Sequence, residues 1–94
     1  MTIEEFQTKL NGLLKEFPAS GFDTVSDNVI TELVKCGDEA EDLSMKSGKK
    51  LITNLVDAVK TRKIGGNTDE SVQIRLVALD FYQKNLQSGT TEDL

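Results

Sequence analysis

Sixteen carboxylates and a single thiol carry most of the reactivity in this chain, and histidine is absent. Without imidazole there is no Ser-His or Cys-His nucleophile, no side-chain base that titrates near neutral pH, and no common zinc set. Cys36 is the only cysteine, so no internal disulfide forms, which suits a reducing compartment. Its spacing puts it on an apolar helix face at the C-terminal end of that helix. The dipole there opposes a thiolate, so Cys36 reads as a buried core thiol rather than a crosslink or redox site.

Asp38, Glu39, Glu41 and Asp42 crowd carboxylates together. A calcium loop of EF-hand type needs oxygen ligands at alternate positions and a glycine at the sixth. Ala40 and Leu43 occupy the third and sixth places, so the pattern fails, and the acids suit the start of a helix instead. Ser47–Gly48–Lys49–Lys50 has part of a phosphate loop. The earlier glycine is replaced by Leu43, and Lys50 stands where the hydroxyl belongs. A helix start with two lysines holds an anion at most loosely.

The helix–Gly37–helix spacing has the outline of a DNA-reading helix-turn-helix, but carboxylates would face the phosphates. A di-metal carboxylate bundle wants Glu-x-x-His pairs, which this chain lacks. Glu92–Asp93–Leu94 has the form of a chain end captured by peptide-binding domains, a form that chance produces often. No catalytic, cofactor or metal site is expected.

The elements that must position these residues are helices. Thr2 with Glu5 forms a capping box, and Ile3, Phe6, Leu10, Leu13 and Phe17 follow helical spacing until Pro18. Ser20 is the expected cap of the next helix. Phe22, Val25, Val29, Leu33 and Cys36 mark its buried face, and Gly37 its stop. Lys49–Ile64 is the clearest helix. Leu51, Leu55 and Ala58 lie beside Ile52, Val56 and Val59, a stripe wide enough to need partners on both sides.

A continuous helix over 39–63 would be ~37 Å long against ~21 Å for each of the first two. A break near 47–48 is therefore expected. Asn67 or Thr68 caps the last helix, whose inner face is Val72, Leu76, Leu79 and Leu86. The reading is an all-α antiparallel bundle with helices near 3–17, 22–36, 39–63 and 68–87. The third helix is central and packs on the other three. Residues 1–94 form one domain, with 88–94 a disordered tail. No apolar run of ~18 residues is present, so no transmembrane helix is expected. The opening MTIEEFQTKL lacks a signal-peptide core, which points to the cytoplasm.

The net charge is −5, unevenly spread. Residues 1–45 hold ten acids and three bases, −7; residues 46–63 hold six bases and one acid, +5; residues 64–94 hold five acids and two bases, −3. The bases are Lys46, Lys49, Lys50, Lys60, Arg62 and Lys63. They either complement the helix dipole and pair with nearby acids, or dock an acidic partner or a nucleic-acid backbone. Ile30, Val34, Ile74, Val77 and Phe81 exceed what one core needs. They are expected to form a partner face or a homodimer contact.

The function expected is a non-enzymatic protein–protein interaction module: an adaptor, regulatory or assembly subunit. The six bases and Ile74, Val77 and Phe81 are its candidate partner-binding residues. The alternative is a nucleic-acid-linked protein. It would bind through the basic helix, or act as an acidic inhibitor that mimics nucleic acid with residues 1–45.

Overall fold

The computed structural model describes residues 2–17 and 21–86. Four α-helices span Ile3–Leu14 (α1), Asp27–Asp42 (α2), Lys46–Lys63 (α3) and Asp69–Lys84 (α4), with a 3-10 turn at Phe22–Thr24. No strand occurs among the described residues, and no helix there is long and apolar enough to cross a membrane. The all-α bundle read from the periodicity is the fold. The predicted 68–87 helix stops earlier, at Lys84, with Asn85 as its C-cap, and the predicted 88–94 tail lies outside the described residues.

Three helix starts follow from capping side chains. The Glu5 amide donates to Thr2 Oγ1 at 3.1 Å, and the Thr2 amide donates to Glu5 Oε1 at 2.9 Å, the expected capping box. Ser26 accepts from the Val29 amide at 3.3 Å, and Thr68 from the Ser71 amide at 3.2 Å. α1 ends at Leu14 rather than Phe17, and the chain continues as a turn in which the Phe17 amide reaches the Leu14 carbonyl at 3.4 Å. Pro18 and Ser20, credited with a stop and a cap, lie outside the described residues.

The second helix differs from 22–36 at both ends. Its first residues form the separate 3-10 turn, because Ser26 caps α2. At its other end α2 runs through Gly37 to Asp42. Gly37 is no stop. A Cβ there would lie 3.5 Å from Ile52 Cγ2 and 3.7 Å from Lys49 Cδ, so the glycine sits where α3 packs closely.

The break between α2 and α3 falls at 43–45, not 47–48. Ser44 takes a left-handed φ of 60°. The Met45 amide donates to Ala40 O at 2.8 Å and the Ser44 amide to Glu41 O at 3.0 Å, the two bonds of a Schellman cap. Ala40 and Met45 are both buried, which completes the motif's apolar contact. Gly48 instead lies inside α3, beneath the ring of Tyr82.

Neighbouring helices run antiparallel and close into a ring. α3 packs on α2, α4 and the 3-10 turn; α1 packs on α2 and α4. The expectation that α3 touches all three other helices is corrected: α1 stands across the diagonal. The wide stripe of α3 is shared between its two neighbours, with Ile52 meeting α2 at Gly37 and Ala58 facing the start of α4 through Asn67. Phe6, Leu10, Leu33, Met45, Ile52, Leu55 and Leu79 fill one core.

The α1–α4 seam carries a buried polar cluster. Gln83 is buried, and its Nε2 donates to Asn11 Oδ1 at 3.1 Å and Asp80 Oδ1 at 3.2 Å. Gln7 Nε2 donates to the Gln83 and Leu86 carbonyls. These bonds satisfy a buried amide and fix the register of the two helices.

Candidate functional site

The six bases of α3 do not form one face. Lys46, Lys49 and Lys50 lie in its first turn and Lys60, Arg62 and Lys63 in its last, ~20 Å away along the helix. Three of the six are engaged within the bundle. Lys49 pairs with Asp38 at 3.3 Å and Glu41 at 3.5 Å. Arg62 Nε donates to Asp69 Oδ1 at 2.8 Å, and the same oxygen accepts from the Phe22 amide at 3.2 Å. Lys63 Nζ donates to the Val25 carbonyl at 2.7 Å and to Asp27 at 2.9 Å.

Arg62 and Lys63 therefore tie the 3-10 turn to the end of the bundle. The Arg62 guanidinium and then the Phe22 amide hold the Asp69 carboxyl below its ordinary value, and Lys63 does the same to Asp27. Lys46, Lys50 and Lys60 are exposed, with no ion pair among the described residues. Much of the acidic half is likewise neutralised: Lys9 pairs with Glu39 at 2.8 Å and Glu32 at 3.9 Å.

The apolar surplus divides more sharply. Ile30 is buried, which corrects its place among the exposed residues. Val34, Ile74, Val77 and Phe81 are exposed as expected, and Ile64 joins them at 85% exposure. These residues gather on two surfaces instead of scattering. On one, Ile30, Val34 and Ile64 line a groove of about 670 Å³ between α2 and the end of α3, edged by Lys35, Lys60, Lys63 and Asp27. On the other, Ile74 (61% exposed), Val77 (53%) and Phe81 (69%) run along the outer side of α4.

The sequence singled out neither Ile64 nor Lys35. Ile64 follows a basic helix end and precedes Gly65–Gly66, and an isoleucine in that polar setting was the signal available. Two further clefts are smaller. One of about 540 Å³ separates α1 from α4 and is half polar, with Asn11, Lys15 and Asp80 in its wall. One of about 310 Å³ lies between α3 and α4 beside Asn67, whose Oδ1 is buried without a partner among the described residues.

Cys36 is fully buried, in mid-helix rather than at a helix end as expected from Gly37. Burial pushes its thiol up to about 11, partly offset by Lys9. Among the described residues no group of three or more Cys, Asp or Glu gathers in a metal-binding arrangement. No family model, curated protein or solved structure matches the chain.

Proposed function

We propose that this protein is a non-enzymatic interaction module, an adaptor, regulatory or assembly subunit, whose α2–α3 groove receives an acidic amphipathic segment of a partner protein. The observation that carries the reading is the pairing of an apolar floor with a lysine edge on an otherwise acidic chain. Ile30, Val34 and Ile64 offer a strip that an apolar helix face fits. Exposed Lys60 stands beside it for carboxylates, with Lys35 next to it held by Glu32 at 3.4 Å, and a rim of opposite charge steers and orients such a partner. A reducing, cytoplasmic setting suits the lone buried thiol.

A nucleic-acid backbone fits this groove less well. Asp27 stands in the edge, Lys63 is already committed to it, and between the charged edges the lining is apolar apart from the Thr31 hydroxyl. Exposed Lys46 and Lys50 at the far end of α3 are what remains for that alternative.

The test is affinity capture from native lysate with the wild type, Val34→Asp and Lys60→Glu, each with and without nuclease. A protein that survives nuclease, is lost with Val34→Asp and is weakened about tenfold by Lys60→Glu supports the groove, tenfold being about 1.4 kcal/mol. Capture abolished by nuclease makes nucleic acid the ligand. Capture indifferent to Val34→Asp removes the groove from the function.

A further inference from the structure

The outer side of α4 is a different surface, which the fold touches at its edge, where Val77 borders the α1–α4 cleft. The helix already contributes Val72, Leu79 and Gln83 to the interior. Ile74, Val77 and Phe81 lie at three- and four-residue spacing on the opposite side, with the small, exposed Ala78 among them. The interior needs of α4 are thus met by one face, and a second apolar face is left in water.

We infer that this face binds a second copy of the same chain, α4 against α4, antiparallel about a two-fold axis near Val77 and Ala78. Two features favour a copy over an unrelated partner, and a third marks the face as an interface. The first is symmetry. Ile74 lies three residues before Val77, and Phe81 three after Ala78. A two-fold between Val77 and Ala78 lays Ile74 against the partner's Phe81 and the partner's Ile74 against Phe81. It also sets Ala78 opposite Val77, so a small residue at the crossing lets the helices approach.

The second is charge. Exposed Glu70 stands one turn beyond Ile74, and Lys84, exposed and paired with Asp80 at 2.8 Å on its own helix, almost one turn beyond Phe81. Antiparallel pairing brings each Glu70 beside a Lys84 of the other copy, at both ends of the contact. It also sets the two helix dipoles in opposition, which parallel pairing would not. The third is composition. An aromatic flanked by aliphatic residues, with charges only at the ends, is the make-up of an interface centre with a polar rim. A contact one helix long is small, so the dimer dissociates on dilution through the ~micromolar range. This inference is independent of the α2–α3 groove, which lies on other helices and is probed by other variants.

The experiment is sedimentation equilibrium across a concentration series on the wild type, Phe81→Asp, Lys84→Glu and Glu70→Lys/Lys84→Glu. Circular dichroism on each variant checks folding; all three positions are on the surface. A concentration-dependent dimer, lost with Phe81→Asp, weakened with Lys84→Glu and recovered in the double charge swap, is the expected result. Ala78→Cys should be captured as a dimer by a short bis-maleimide far faster than Thr53→Cys on the exposed side of α3, with buried Cys36 silent in both. A monomer at every concentration overturns the inference. So does a dimer indifferent to Phe81→Asp, or equal crosslinking at the two cysteines. A monomer whose Phe81→Asp variant loses a heterologous protein also overturns it, and gives the face to that protein.

Discussion

The ring of Tyr82 on α4 lies across Gly48 on α3, with its phenol oxygen 2.9 Å from where a Cβ at position 48 would stand. Cζ and Cε2 follow at 3.2 and 3.1 Å, so the whole ring edge occupies the space. Glycine inside a helix costs about 1 kcal/mol against alanine, and here that cost accompanies the close crossing of two helices. Gly48→Ala is expected to destabilise the wild type. In a Tyr82→Ala background the same change should stabilise by about 0.5–1 kcal/mol. Urea denaturation of the four proteins gives the coupling; equal gains in both backgrounds would mean the ring is not seated there.

Ser44 holds the left-handed C′ position of the α2 cap. A side chain at such a φ costs roughly 1–2 kcal/mol, which glycine avoids. Part of that gain is returned through the greater freedom of the unfolded chain. Ser44→Gly should therefore stabilise by about 0.5–1 kcal/mol, seen as a higher urea midpoint at unchanged slope.

Leu55 is fully buried at the middle of α3. Leu55→Ala is expected to cost about 2–5 kcal/mol, the span depending on how far the core collapses around the cavity. In a domain of this size each 1 kcal/mol moves the melting temperature by about 4–8 °C. An unchanged melting temperature would contradict the packing described.

Asp69 joins Arg62 to the Phe22 amide, and its carboxyl is held below the ordinary 3.8. The sign follows from linkage. A depressed native value means the contribution is complete above about 3.8 and is lost as pH falls through the lower native value. Asp69→Asn should lower stability at neutral pH and flatten its further loss in acid. Urea midpoints measured from neutral to strongly acid pH check this; parallel wild-type and variant curves would refute it.

Cys36 has no exposed surface, and burial pushes its thiol up to about 11. A thiol reagent should therefore modify it only as the bundle opens, at a rate that denaturant raises in step with unfolding. Stoichiometric labelling within seconds under native conditions would contradict its burial.

The apolar spacing made all four helices legible in the sequence, because rows such as Phe6–Leu10–Leu13 and Leu55–Ala58 recur at the helical period. The helix ends were less so. Gly37 and Gly48 resemble stops in one dimension, yet each is inside a helix: Gly37 lies in ordinary contact with Ile52, and at Gly48 the Tyr82 ring comes too close for a side chain. The actual stop falls at Ser44, where the bonds to Ala40 and Glu41 and the burial of Met45 outweigh the preference of the residue itself.

Pairing was hidden in the same way. Nothing in the order of residues says that Lys63 reaches Asp27 or that Arg62 reaches Asp69. Those partners follow only once α3 lies against α2 and turns back into α4. Ile74, Val77 and Phe81 were readable as surplus because a single helix face cannot bury two apolar rows. Ile30 and Val34 share a face, and the side chains beside the end of α3 divide them into a buried floor and an exposed wall.

The contact of Gln7 with the carbonyls of Gln83 and Leu86 brings the beginning of α1 and the end of α4 to the same pole of the ring. The order of helices around the ring is thus almost indifferent to where the chain is cut. A circular permutant with α4 joined to α1 by a short flexible tether and opened at Ser44 would keep every helix pairing, giving up only the Schellman cap. Thr2 and Leu86, the first and last described residues, both leave from that one pole. The opposite pole, where Lys63 and Arg62 gather the 3-10 turn, would stay unobstructed.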